Sequence, residues 1–154
     1  MSGQDVGFFD VGTNCPDLVI ENGDLKPDNG LETASLISLF SDKRVSFDEL
    51  PQGQNERRGW WADLVSEPED DEIGSKLWTI DREKTLESTA IKLESILADA
   101  FEWLLEDGLA ASVSVDSTVV DREEILGSVQ ILKPSGENIP LKFIWDGQRL
   151  KILE

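Results

Sequence analysis

The chain contains no histidine, which removes the residue most often used as a general base near neutral pH and as a metal ligand. Its single cysteine, Cys15, excludes an internal disulfide and has no imidazole to activate its thiol. There is no Gly-x-Ser-x-Gly turn, and Gly53, Gly59 and Gly74 do not have the spacing of a phosphate loop. Five acids crowd residues 67–72, but "EPEDDE" lacks the regular ligand spacing and turn glycine of a calcium loop. Catalytic residues, cofactors and metals are therefore not expected. Cations are scarce too. The 14 Lys and Arg face 32 Asp and Glu, and the resulting charge of −18 argues against nucleic-acid binding, which depends on neutralising phosphates. Apolar runs such as "LISLF" at 36–40 fall far short of the roughly 20 residues of a membrane helix, so no membrane contact is expected. The opening "MSGQDVGFF" has neither the basic region nor the apolar core of a secretory signal, so synthesis and use in the cytoplasm are expected.

What is present suits one soluble domain. The 154 residues are 39% apolar and 30% charged, enough to bury a core. The acidity steers such a protein toward a basic partner, and imitation of DNA is the one nucleic-acid-related role it permits.

Residues 1–30 read as short strands with turns, and Asn22-Gly23 is the best hairpin signal in the chain. Residues 31–108 form the helical part. In it, Asn29 and Glu32 suggest a capping box, and Leu31, Ala34, Leu36, Ile37, Leu39 and Phe40 make a short helix apolar nearly all round, hence buried. Lys43 and Arg44 suit its C-terminal dipole. Loop chemistry follows from Val45 to Ile73. Thr85 is a plausible N-cap for a long amphipathic helix, with Glu87 in its first turn and Leu86, Ala90, Leu93, Leu97, Ala100 and Leu104 recurring at steps of four and three. Ile96, Phe101 and Trp103 widen that stripe, and Gly108 supplies a left-handed stop. Residues 109–154 alternate as "LAASVSVD", "EILGSVQILK", "IPLKFIWDG" and "RLKILE", broken by Pro134-Ser135-Gly136 and Asp146-Gly147, which predicts an antiparallel β-meander. The class is α+β, with the long helix laid across the sheet.

Set in the loop is "NERRGWWADLV", residues 55–65. Arg57 and Arg58 can pair with nearby acids. Trp60 and Trp61, being adjacent, point in different directions, so one can enter the core while the other meets a partner. Tryptophan in a loop is often a lid on the core, yet Trp and Arg also dominate binding hot spots, and an interface is the preferred reading of the motif. Glu106 and Asp107, after Trp103 at the end of the long helix, invite comparison with a glycosidase carboxylate pair, although in so acidic a chain a solvent-exposed or interface-facing helix end is the simpler reading.

The order "LISLFSDKR", "RRGWWADLV", "IGSKLWTIDREK", then "WLLEDG" before "ASVSV" resembles the baseplate proteins of Mu-like contractile-tailed phages and prophages, over about Leu31 to Val115. That family resembles in turn a branch of the tail wedge proteins labelled "lysozyme-like". The resemblance implies a structural, non-enzymatic wedge component, one domain over 1–154, placed in the virion tail baseplate in six copies and assembled in the host cytoplasm. Its implied partners are a larger J-like wedge protein, sheath subunits docking by strand addition, and other baseplate or hub proteins. The long helix would face its own core or a bundle with the larger wedge protein. The implied interface residues are Arg57, Arg58, Trp60, Trp61, Trp78, Trp103, Glu106 and Asp107. The Glu-Pro-Arg turn of the broader family is here Glu106-Asp107-Gly108, so the role of that arginine does not transfer. An acidic DNA mimic and a cell-wall glycosidase are the alternatives from other classes.

Overall fold

The computed structural model describes residues 5–6, 8–10, 16–28, 31–64, 72–81, 83–84, 87–147 and 150–153. The first stretch forms three small antiparallel ladders. Strand β1 (Asp5–Val6) pairs with β6 (Pro27–Asp28), β2 (Phe8–Asp10) with β3 (Pro16–Leu18), and β4 (Ile20–Glu21) with β5 (Asp24–Leu25). The last pair is the hairpin expected at Asn22-Gly23. Both turn residues take positive φ, 55° and 85°, so the two-residue turn twists with its strands.

Helix α1 (Glu32–Phe40) has Leu31 at its N-cap, without a side-chain hydrogen bond, and Glu32 at its first position; the Asn29 of the expected capping box lies outside the described residues. The helix is also not buried all round. Ser35, Ser38 and Leu39 share the buried face, whereas Ile37 and Phe40 are exposed. Helix α1 packs against the long helix, and the small Ser35 and Ser38 are among the residues it buries. Lys43 and Arg44 lie past the last turn, and no basic residue stands within it.

The long helix is α2 (Glu87–Phe101), followed across Glu102 by the single turn α3 (Trp103–Glu106). The Glu102 N–H bonds to the Asp99 carbonyl, three residues back, and this tighter step bends the helix. Ala90, Leu93, Leu97, Ala100 and Leu104 are all buried, as the steps of four and three predict, and Ile96 and Phe101 join them. Thr85 and Leu86 lie outside the described residues. Gly108, at φ 69°, ends the helix, with the Leu109 N–H on the Leu104 carbonyl and the Gly108 N–H on the Leu105 carbonyl.

Strands β7 (Ser112–Asp121), β8 (Glu124–Leu132), β9 (Asn138–Trp145) and β10 (Leu150–Leu153) form a meander in the order β10-β9-β8-β7. Along β8, Ile125, Gly127, Val129 and Ile131 face the helix. Opposite them stand Val119, Ser117, Val115 and Val113 of β7 and Trp145, Phe143, Leu141 and Ile139 of β9. A row of small residues, Ser117 and Gly127, makes the saddle in which α2 rests. A Cβ on Gly127 would stand 3.1 Å from a Leu97 methyl, and the Ser117 hydroxyl donates to the Ala90 carbonyl. The expected α+β architecture, with helix on sheet, is the one observed.

Candidate functional site: a braced aromatic loop

Three strips of chain hold the loop between α1 and α2 in place. Residues 41–45 leave α1 in extended conformation and meet residues 74–78: the Lys43 N–H bonds to the Ser75 carbonyl, and the Ser75 N–H to the Ser41 carbonyl. The buried Ser75 hydroxyl donates to the Leu39 carbonyl at 2.6 Å, tying the strip to the end of α1. Gly74, at φ 109°, permits this crossing, because any Cβ there would stand 2.4 Å from the Ser41 carbonyl oxygen. On the other side the Val45 N–H bonds to the Arg57 carbonyl and the Arg57 Nε returns a bond to the Val45 carbonyl.

Each motif residue has a separate task within this frame. The Arg57 guanidinium lies 4.9 Å from the ring centre of Phe47, and Arg58 lies 4.7 Å from that of Trp78 while bonding Asp42 at 3.0 Å. Arg58 itself takes a left-handed φ of 49°, and Arg44 donates to its carbonyl. Trp78 is 3% exposed and gives its indole N–H to the Lys43 carbonyl, so it braces the loop from beneath and cannot itself touch a partner. Gly59 packs so tightly that a Cβ would stand 2.6 Å from the Arg44 Cβ. Trp60 and Trp61 are then pushed outward, 45% and 72% exposed, with ring centres 5.9 Å apart. The expectation that one of them enters the core is wrong. The 3-10 turn from Trp61 to Leu64 follows at once, and the tryptophan that this region buries is Trp78.

The loop contains a further device. In the 3-10 turn Phe47–Glu49, Ser46 and Glu49 form a reciprocal cap, and Glu49 also binds Lys76. The Lys76 ammonium, followed by the Ser46 N–H and hydroxyl, holds the Glu49 carboxyl down from 4.5 to about 2. A carboxyl lowered on folding stabilises the loop above its unfolded value, and that contribution is lost as pH falls through the folded one. The Glu49→Gln variant should therefore be less stable than the parent at pH 6. The gap should be no more than about 1 kcal/mol for so exposed a pair, and it should close as pH falls from 4.5 toward 2 in thermal melts.

The other expected interface residues stand apart. Trp103 packs partly against the core, and Glu106 and Asp107 are exposed at the end of α3. Among the described residues no hydrogen bond, ion pair or ring contact joins these three to the loop. Neither carboxylate lines either hollow described below. Of the acidic run, 67–71 lies outside the described residues, and Glu72 pairs with Lys43 at 3.5 Å. The described residues hold no cluster of three or more metal-ligating side chains.

Two hollows flank the fold at opposite edges of the sheet. A cleft of about 210 Å³ lies where Arg58 and Trp78 meet Leu150 of β10. A groove of about 520 Å³ runs between the outward side of α2 and β7, floored by Ile91, Ala98, Leu105, Val113 and Val115. The outward helix residues were legible as a second stripe, since Ile91, Ala98 and Leu105 are spaced by seven. Phe47, 74% exposed, carried no such signal.

An acidic α+β domain that holds an aromatic pair out on a hydrogen-bonded loop has the form of a protein attached to other proteins. The model of the family described as Phage protein GP46 matches residues 31–138, and the chain belongs to that family. It is similar to the baseplate protein gp46 of Escherichia phage Mu, 33% identical over 128 residues, which are 82% of this chain and 86% of that protein. It is similar also to the Mu-like prophage FluMu protein gp46 of Haemophilus influenzae, 35% identical over 120 residues, covering 78% and 81% of the two chains. The resemblance to Mu-like baseplate proteins stated from the motifs is borne out.

Proposed function

We propose that this chain is a structural, non-enzymatic component of a phage tail baseplate, a wedge subunit of a contractile tail or a particle derived from one. The observation that carries this reading is the similarity to the phage Mu baseplate protein, which runs through most of both chains. The whole chain, 1–154, acts as one wedge domain. It resides in the virion tail and is assembled in the bacterial cytoplasm.

Three surfaces support the reading. The braced loop holds Trp60 and Trp61 at the surface, where a neighbouring subunit can meet them. The ten-residue strand β7 stands at the edge of its sheet, and among the described residues no strand pairs with its outer side, which suits strand addition from a sheath subunit. Leu93, Leu97, Ala100 and Leu104 serve this chain's own core, so the larger wedge protein is met elsewhere. The β4–β5 hairpin with Ile20 and Leu25 exposed, Leu18 just before it, and the outward Ile37 and Phe40 of α1 are surfaces open to it.

The test is co-purification of the chain with the products of its genomic neighbours, followed by imaging of assembled tails. A stable complex and density for the chain in the baseplate are expected. Finished tails without it would overturn the reading.

A further inference from the structure

The loop and the groove are complementary in polarity and charge, and they lie at opposite edges of one sheet. The loop projects Phe47, Trp60 and Trp61 beside Arg44 and Arg57, and among the described residues neither arginine pairs with a carboxylate. The groove has an apolar floor and a rim of Glu94, Asp99 and Glu102, with no cation in its lining. None of those three acids forms an ion pair among the described residues. In a chain of charge −18, the loop is a place where unpaired cations and exposed aromatics coincide. A generic acidic neighbour would not need the groove, and a generic apolar one would not need the arginines. Another copy of this chain offers both an apolar floor and an acidic rim.

We propose that the neighbour gripped by the loop is a second copy of this chain, which takes Trp60 and Trp61 into its groove between α2 and β7 while Arg44 and Arg57 meet Glu94, Asp99 and Glu102. The proposal rests on the reading of the loop as an attachment surface and names its occupant. The loop stands over the β10 edge, where Arg58 and Trp78 share a cleft with Leu150, and the groove lies at the β7 edge. The two surfaces of one molecule therefore differ and cannot pair isologously. Contacts run head to tail and produce a ring where the rotation closes and a filament where it does not. The groove lies on the helix side of β7, out of the plane in which an added strand bonds to its edge.

Sedimentation velocity of the purified full chain over a wide concentration range tests this. Concentration-dependent oligomers are expected for the parent. Trp61→Ala on the loop and a double variant, Ile91→Glu with Ala98→Glu, in the groove should each be monomeric, with circular dichroism unchanged from the parent. Mixed one to one, the two variants retain one intact loop and one intact groove, and should form dimers and nothing larger. A parent that is monomeric at every concentration, or a mixture that fails to dimerise, overturns the proposal. So does an oligomer that survives both sets of changes. If a helix of another baseplate protein occupies the groove instead, the parent sediments as a monomer while the groove variant loses that protein in co-purification, and this too overturns it. A monomeric parent that is nevertheless found in assembled tails defeats this inference and leaves the baseplate reading standing.

Discussion

Arg58→Ala and Trp61→Ala should each greatly reduce incorporation of the chain into finished tails while leaving the isolated domain folded. Trp61 is 72% exposed, so its truncation removes little buried surface, and the melting temperature should move by a few degrees at most. At an interface the same side chain would be a hot spot costing about 2 kcal/mol or more, roughly a 30-fold loss of affinity. Arg58 acts differently. Its guanidinium joins Asp42 to the face of Trp78, and its left-handed backbone sets the direction in which Gly59 and the tryptophans leave the frame. Removing the side chain should loosen that direction rather than the core. Complementation of a tail-forming system with each variant, with the chain quantified in purified tails beside a melt of the free protein, separates the two effects. Normal incorporation of both variants would defeat the assignment of the loop as an attachment surface.

Phe101→Ala should cost about 3–5 kcal/mol of stability, as for a fully buried aromatic. Phe101 is the last residue of α2, fully buried, and stands immediately before the bend at Glu102. Its loss would leave a void where the helix turns over the sheet. Against a total of about 5–15 kcal/mol for a domain, that is roughly a fifth or more of the stability. Urea unfolding provides the measurement, with Ile91→Ser as the control on the outward side of the same helix, where a change within about 0.5 kcal/mol is expected. A loss below about 1 kcal/mol for Phe101→Ala would mean that α2 is not packed as described.

Much of the core was legible because its signals are local. The steps of four and three from Ala90 to Leu104 select the buried side of α2 whatever the helix meets, since any apolar stripe must leave water. The alternation of β8 fixes Ile125, Val129 and Ile131 in the same way. Harder cases were those with two acceptable answers. The apolar residues of α1 exceed what one face can bury, and two of the residues it does bury are Ser35 and Ser38. No periodicity reveals that Ser35 and Ser38 are buried while Ile37 and Phe40 are exposed.

The sequence by itself determined what chemistry is missing and where the chain turns. A histidine-free chain with one cysteine has no imidazole-based site in any fold, and Asn22-Gly23 and Gly108 take left-handed conformations for reasons contained in their own backbones. Only the tertiary structure decided the fate of the tryptophans. Trp78 is buried with its indole N–H satisfied by the carbonyl of Lys43, thirty-five residues earlier, whereas Trp60 and Trp61 stay exposed. Local chemistry sets the conformation of a segment, whereas the choice of which aromatic leaves water depends on neighbours that only folding brings together.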